Sequence, residues 1–445
     1  MKREIIEKLL NWKEKSTRKP LILTGLRQCG KTYILKKFGE EYFKNFVYIN
    51  LERDPHISEI FSFNYDTKRI IRDIANMLVI PEIIPEETLL VIDEIQFNPK
   101  AITALKYFYE DMPDLAVVGA GSLLGVSIRA EGASFPVGKV DMLEMYPMSF
   151  KEFLWANNQT SLIDSLKSYD LSAPLPTYIL DELNRQYTNY LLVGGMPEAV
   201  KSRKNNENLL EVNQIQDNIL RGYENDFSRH SPKSELVNIE LIWRSIPEQL
   251  AQENNKFVFS RVKKSARAKD LEKSIGWLID AGLIYLVPKI ENPQIPLSVY
   301  SDSSYYKIYL ADVGLLSRKA NFTLRSLVEK SEETGGFRGS LTENYVNNEL
   351  INRSYKTYFW KSENSAELDF LIEDDGKVIP IEVKSNINTK AKSYQVFTKR
   401  YKNELGFKYS QNNIGLNMVN QTKTYSLPLG LVFLLKTYLN KETVK

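Results

Sequence analysis

Short apolar runs alternate with amphipathic stretches through the first 150 residues. Residues 21–24 (LILT), 46–51 (FVYINL), 88–92 (TLLVI) and 115–118 (LAVV) read as strands, with 139–145 as a fifth. Between them the spacing is helical: up to about Phe43 after the first run, around Ile70, Ile71, Ile74 and Leu78 after the second, and over 101–110 after the third. Unbroken apolar strands separated by helices predict a parallel sheet with helices on both faces. The amino-terminal segment is periodic and charged, an amphipathic helix with Ile5, Leu9, Leu10 and Trp12 on one side. It lacks the continuous apolar core of a secretory signal.

From 150 to 230 the pattern is mostly helical, broken by Pro174 and Pro176 and by the turn Gly194-Gly195-Met196-Pro197. Residues 235–288 then give a helix, a short strand at 257–259, a basic helix and an apolar strand at 283–287. A loop (289–304) leads to the strand 305–310 (YYKIYL). Helices followed by a two-stranded ribbon with a long tip predict a winged helix. Residues 330–340 (KSEETGGFRGS) read as a linker. A compact α/β region follows: a helix from about 341, strands near 356–360, 367–373 and 378–384, and a basic helical stretch. The longest apolar run, 427–435, contains Pro428 and Gly430 and falls well short of the ~18 residues of a membrane span, so no membrane partner is expected.

At roughly 100–200 residues per domain, 445 residues predict two to four domains. The 59 Lys+Arg and 56 Asp+Glu nearly cancel, to a formal net charge of +3. The scarcity of two histidines (His56, His230) and one cysteine (Cys29) excludes more. A disulfide scaffold and a closed structural zinc site are ruled out, and a reducing, cytoplasmic setting suits the chain. Any metal must take oxygen ligands, as magnesium or manganese do, and a general base would be a carboxylate.

One such site is spelled out. Gly25-Leu26-Arg27-Gln28-Cys29-Gly30-Lys31-Thr32 matches G-x-x-x-x-G-K-[ST] between an apolar strand and a helix. The glycines allow a tight turn whose N–H groups face a phosphate, and the helix adds its positive end. Lys31 would reach the terminal phosphates of ATP and Thr32 would ligate Mg2+. Gly25, Gln28, Cys29, Gly30 and the following Tyr33 complete the candidate nucleotide contacts. The apolar strand ending in Asp93-Glu94 supplies the partner: Asp93 for magnesium, Glu94 to polarise the attacking water. Gln96 is a candidate nucleotide sensor and Ser122 a candidate γ-phosphate sensor. Arg129, Arg221 and Arg229 are open alternatives for an arginine finger. Cys29, beside Lys31 and a helix start, is either a small residue in a tight loop or a thiol whose alkylation would block nucleotide binding.

A second constellation lies near the carboxyl end. Asp375-Gly376 is a two-residue hairpin turn, so residues whose numbers sum to 751 should face each other. Asp369 would then oppose Glu382, and Glu367 would oppose Lys384. Opposed acids repel unless a divalent cation lies between them. Lys384, on the same face as Glu382, would stabilise a scissile phosphate or its attacking water. Glu343 could add a ligand. A solvated hairpin with a Glu367–Lys384 pair is the plainer reading. Two basic runs, 256–273 and 390–408, the second interleaved with Tyr394 and Tyr401, offer phosphate contacts for DNA or are simply solvated faces.

The chain resembles a large family of prokaryotic AAA-type ATPases. The resemblance is carried by TGLRQCGKT (24–32), LLVIDEIQ (89–96), GAGSLLG (119–125), FPVGKVDMLEMYPMSFKEF (135–153), LLVGGMPEAV (191–200), IYLADVGLL (308–316), LTENYVNNEL (341–350), ELDFLI (367–372) and PIEVKS (380–385). It implies an α/β fold: an AAA-like P-loop core (1–155), a helical extension (156–232), a winged helix (233–328) and a C-terminal α/β domain (335–445) similar to PD-(D/E)XK nucleases. It also implies Glu343, Asp369, Glu382 and Lys384 as the nuclease-like site, with the first three as metal ligands and the last two as catalytic groups. The expected function is ATP binding and hydrolysis coupled to DNA processing. The alternative is a nucleotide-gated switch whose C-terminal domain only binds DNA or a protein. Oligomerisation stays open, and a GTPase is disfavoured because no N-K-x-D motif is present.

Overall fold

A computed structural model describes the chain except residues 123, 129–134, 172, 206–207, 253–255, 329–331, 363–365, 386–390 and 444–445. Arg129, one of the three alternatives for an arginine finger, lies outside the described residues. Two compact units emerge. One comprises Arg3–Tyr146 with Asp280–Leu283, the other Met1–Lys2, Pro147–Ile279 and Ile284–Lys445.

The first unit holds β1 (Leu21–Gly25), β2 (Asn45–Asn50), β3 (Thr88–Asp93), β4 (Ala116–Ala120) and β5 (Asp141–Met145). They form a sheet in the order β2-β3-β4-β1-β5, and every pairing is parallel. Alternation sends Ile22, Val47, Ile49, Leu90, Ile92 and Val117 to one face. There they pack with Ile70, Ile71 and Ile74 of the helix Thr67–Leu78, and with Ala101, Leu105 and Phe108 of the helix Pro99–Asp111. Leu21, Leu23, Leu89, Val91 and Val118, which alternate to the opposite face, are fully buried as well. A sheet dry on both sides explains why these strands read as continuous apolar runs. Helix starts are marked locally: Asp54 and Asp66 accept backbone N–H bonds as caps, and so does Asn98, with proline next at Pro55 and Pro99. The N-terminal helix Ile5–Glu14 buries Ile5, Leu9 and Trp12 as the pattern predicts, with Leu10 only partly covered.

The second unit is helical from Phe150 to Ile279, then contributes β6 (Ile284–Ile290), β7 (Ser301–Leu310), β8 (Tyr358–Lys361), β9 (Glu367–Asp374), β10 (Lys377–Val383), β11 (Leu405–Ser410), β12 (Gly415–Val419) and β13 (Thr422–Pro428). These form one mixed sheet in the order β12-β13-β11-β10-β9-β8-β6-β7. The antiparallel ribbon β6–β7 therefore shares a sheet with the C-terminal strands, through the parallel pair Lys289↔Phe359 and Ile290↔Trp360. Three sequence expectations change. The segment expected as a linker is helical from Glu332 on, as part of one helix that runs to Asn352. Its glycines should weaken a helix, by ~1 kcal/mol each. Tertiary contacts override this: Arg338 is buried and donates to the Ser326 carbonyl at 3.3 Å, and Phe337 packs on Phe322. The stretch at 257–259 forms no strand: an isolated bridge, Lys256↔Lys307, lies just before it and the helix Phe259–Val262 begins within it. The basic run 390–408 is split between the helix Lys392–Tyr401 and β11. Among the described residues no helix is long and apolar enough to cross a membrane.

Candidate functional site

The loop after β1 is shaped by backbone angles that favour glycine. Gly25 has φ +143° and Gly30 φ +97°, and a Cβ at Gly25 would lie 2.1 Å from the Met145 carbonyl oxygen on β5. Gln28 also takes positive φ, at 66°. The helix Lys31–Tyr42 starts directly behind the loop. The Lys31 ammonium folds back and donates to the carbonyls of Gly25 (2.8 Å) and Leu26 (3.1 Å), spanning the mouth of the loop. Thr32 Oγ1 donates to Asp93 Oδ2 at 2.7 Å. Tyr48 from β2 donates to the same oxygen at 2.8 Å, while Asp93 Oδ1 accepts the Glu94 N–H at 3.0 Å. Burial, reinforced by Asp93 and Glu94, pushes the Tyr48 phenol up to about 12.

Glu94 takes an αL conformation (φ 52°) just past the end of β3, so its side chain leaves the line of the strand. Burial raises its carboxyl above the usual range, and the nearby Asp93 charge adds to that; the Gln96 amide and Lys31 oppose it. Gln96 Oε1 lies against Gly121, where a Cβ would sit 2.2 Å away, beside Ser122. Because β4 lies between β1 and β3, its end delivers Gly121 and Ser122 between the phosphate loop and the Asp93-Glu94 pair. The structure thus gathers Lys31, Thr32, Asp93 and Glu94, while Gln28 and Tyr33 are exposed. Arg221 and Arg229 are exposed on the helix Leu209–His230. Thr32 and Asp93 together offer the hard oxygen donors that magnesium takes, and the glycine-lined loop leaves a cradle a side chain would fill, so these residues fit a magnesium nucleotide.

Two participants escaped the sequence reading. Tyr48 sits on the face of β2 opposite Val47 and Ile49, a placement its strand pattern could have shown. Arg3 is buried and holds the loop from below, donating to the carbonyls of Cys29 (2.9 Å) and Tyr146 (2.7 Å). Nothing in its sequence context marks it. Of the two readings of Cys29, the geometry favours the small residue in a tight loop: the thiol is fully buried and donates weakly to the Met145 carbonyl at 3.5 Å.

In the second unit, the β9–β10 hairpin keeps the expected register, from Lys377↔Asp374 to Ile381↔Phe370. Asp375 (φ 45°) and Gly376 (φ 68°) turn the chain. Asp369 and Glu382 follow as the next positions, Asp369 partly buried and Glu382 buried. Asp369 Oδ2 accepts the Val383 N–H at 2.7 Å, and Glu382 Oε1 pairs with Lys384 at 2.7 Å. Glu382 Oε2 is buried with no hydrogen-bond partner. Burial drives both carboxyls up, Asp369 strongly, with Glu382 and Glu343 adding repulsion at Asp369. The foreseen Glu367–Lys384 pair does not form. Glu367 binds Lys307 (2.8 Å) and Lys361 (3.1 Å) instead. Lys307 comes from β7 and also meets Glu343 Oε2 at 3.3 Å, where the Tyr309 hydroxyl donates at 2.6 Å. Lys307 was missed, yet a lone lysine amid the aromatic and apolar YYKIYL is a signal. A buried ammonium demands carboxylates.

Among the described residues, no group of three or more His, Cys, Asp or Glu side chains is close enough to hold a metal ion. The cluster therefore does not fit a divalent centre as it stands, although Glu343, Asp369 and Glu382 all border it. The basic runs divide. Arg261, Lys263, Lys264, Arg267, Lys269 and Lys273 are exposed. In the second run Tyr394 is fully buried and bonded to Thr424, and Tyr401 packs on Phe397 and donates to the Glu291 carbonyl, so these rings serve the core rather than bases.

Comparison with known proteins adds the following. Residues 17–154 match the family model for an AAA domain. Residues 184–326 match a domain of unknown function (DUF8612), and 338–432 another (DUF4143). An uncharacterized protein of Haemophilus influenzae is 24% identical over 378 residues, covering 81% of each chain. Among solved structures, the Thermotoga maritima RuvB Holliday junction branch migration motor aligns at 16% identity and TM-score 0.31, over 65% of this chain and 90% of that one. The Aeropyrum pernix ORC2 protein aligns at 14% identity and TM-score 0.33, over 73% and 91%. The phosphate loop, the Thr32–Asp93 pair and the β2-β3-β4-β1-β5 order all lie within the segment that matches the AAA domain model, and the two segments matched as domains of unknown function follow it along the chain.

Proposed function

We propose that this chain binds and hydrolyses ATP in its AAA-type domain and uses the nucleotide state to control DNA engagement by a nuclease-like C-terminal domain. The observation that carries the first half is the convergence of Lys31, Thr32, Asp93 and Glu94 on the mouth of the phosphate loop. Lys31 exchanges its two carbonyl partners for terminal phosphate oxygens. Thr32 and Asp93 are the residues that would hold magnesium, which would supply positive charge beside the phosphates. Glu94, desolvated and steadied by Gln96, orients the attacking water and takes its proton. Arg3 fixes the outward turn of the loop by holding the Cys29 carbonyl.

For the second half, the exposed basic side chains of 261–273, in the segment we read as a winged helix, supply phosphate contacts. One observation favours the non-cleaving form of the C-terminal domain: its carboxylates are already neutralised by lysines of the chain itself. The domain then binds DNA, or a protein, without cutting. The test is ATPase activity with and without linear, circular and branched DNA, scoring cleavage in the same tubes. Lys31→Ala should abolish hydrolysis. ATPase activity that persists in that variant defeats the assignment, and DNA that neither binds nor changes the rate defeats the coupling.

A further inference from the structure

The ribbon strand β7 turns three alternate side chains, Tyr305, Lys307 and Tyr309, toward groups of the C-terminal strands and of the helix Glu332–Asn352. Tyr305 packs against Phe359 and Tyr309 against Phe370. Between them Lys307, only 1% exposed, reaches Glu367 at 2.8 Å and Glu343 at 3.3 Å, with Asp369 also acting on its charge. Around it the charges close on themselves. Four carboxylates (Glu343, Glu367, Asp369, Glu382) meet four ammonium groups: Lys307, Lys361 on Glu367, Lys384 on Glu382, and Lys408 opposite Glu382 across the β10–β11 pairing. A divalent ion entering this set would bring two uncompensated charges into a buried place. Yet one acceptor there, Glu382 Oε2, is buried without a partner. Acidic side chains are drawn together here around a cation, and at Glu343 and Glu367 that cation is a lysine.

We propose that Lys307 is an internal cation that takes the place of a divalent metal in the carboxylate cluster, so that the C-terminal domain is metal-free while β7 is seated and becomes a metal site when Lys307 is removed. This rests on reading the cluster as the nuclease-like site. Lys307 arrives from the ribbon, about 60 residues before the carboxylates of the hairpin, so the block is imposed by a different part of the chain from the one that carries the acids.

The test titrates Mn2+ and Tb3+ into the full-length protein without nucleotide, following free Mn2+ by its spin resonance and Tb3+ by emission sensitised through Tyr309. Wild type and Lys307→Arg should show no saturable site at the cluster tighter than about 1 mM. Lys307→Met should gain one site at least about 100-fold tighter, because one positive charge within a few ångströms is gone. Adding Asp369→Asn should remove it again. The proposal is overturned if wild type binds an ion that Asp369→Asn abolishes, or if folded Lys307→Met binds none. Should Lys307→Met fail to fold, Mn2+ must restore its circular dichroism, and failure to do so counts against the proposal equally. DNA binding by wild type, scored separately, tests the nuclease-like reading. Loss of that reading leaves the metal titrations interpretable.

Discussion

Replacing Gly25 with alanine puts the phosphate loop under a load that can be worked from the structure. At φ +143° an alanine sits in backbone space that side chains rarely adopt, at a cost of ~1–3 kcal/mol. Its Cβ would stand 2.1 Å from the Met145 oxygen and 3.0 Å from the Met145 carbonyl carbon, both backbone atoms of the neighbouring strand. Forcing an atom into fixed surroundings adds ~1–3 kcal/mol. The total is ~2–6 kcal/mol, and the question is which part yields. Gly25↔Met145 is the last pair of the β1–β5 ladder, behind pairs from Leu21↔Asp141 onward, so the strands are anchored. The loop end is the softer side. Its displacement disturbs the Gly25 carbonyl that holds Lys31 and the Met145 carbonyl that takes the Cys29 thiol.

The strain therefore appears in nucleotide binding. At ~1.4 kcal/mol per tenfold, Gly25→Ala should weaken ATP at least about 30-fold. Anisotropy of a fluorescent ATP analogue measures this, alongside a thermal melt of the same sample. Gly138 is the control: its φ is +73° but nothing lies within 4 Å of its Cβ position, so Gly138→Ala should leave ATP affinity alone. The reasoning is refuted if Gly25→Ala binds within about threefold of wild type, ~0.7 kcal/mol, or if Gly138→Ala is equally damaging.

Four further outcomes are expected. Arg3→Met, which leaves the Cys29 and Tyr146 carbonyls without their donor, should lower ATPase kcat/KM about tenfold, with thermal unfolding separating loop positioning from gross misfolding. The acid limb of the ATPase pH profile should lie above the ordinary carboxylate range, because burial raises Glu94; activity falls as pH drops through that limb, and Gln96→Ala should move it higher by deleting the hydrogen bond that favours the ionised form. Asp312, buried and raised from 3.8 to about 6 by desolvation, makes stability fall with rising pH: in the interval from about 4 to 6 the unfolded chain has released this proton and the folded one has not, a loss of about 3 kcal/mol. Asp312→Asn should flatten that dependence in melts recorded across the interval. Gly194→Ala should destabilise its unit by about 3 kcal/mol, since Gly194 (φ +69°, ψ −162°) would drive a Cβ to 2.1 Å from Asp312 Oδ1; in the double variant with Asp312→Ala the losses should be less than additive.

The first unit was legible because its signals are local. Strand runs such as TLLVI are buried on both faces, caps such as Asp54-Pro55 lie beside the turns they start, and the phosphate loop needs only consecutive residues. Residues that act over distance were not legible. Arg3 reaches Cys29 and Tyr146 through the tertiary fold, and the same sequence reads as one more charge on an amphipathic helix. The Gly-rich segment at 332–340 failed for the converse reason. Its composition signals a break, while Arg338 and Phe337 hold it helical through contacts that propensity does not contain. Gly335, Gly336 and Gly339 meet nothing within 4 Å of a Cβ position, and no packing reason for them is visible.

The carboxylate cluster divides along the same line. The Asp375-Gly376 turn fixed the register of β9 against β10, because two residues of positive φ set strand pairing locally. That register made Asp369 and Glu382 neighbours, and their repulsion asked for a cation. Lys384, just past β10, answers Glu382 from the hairpin itself, while the cation that answers Glu343 and Glu367 is not in the hairpin, since Lys307 lies on a ribbon strand of the same sheet that pairs with neither β9 nor β10. An ammonium and a divalent ion answer the same electrostatic demand with opposite consequences: the ion activates water, while a lysine locked to Glu343 and Glu367 only balances charge. A motif of acids therefore establishes that positive charge will be present. Only the packing of β7 tells which charge, and hence whether the site works on a phosphodiester or merely holds the sheet together.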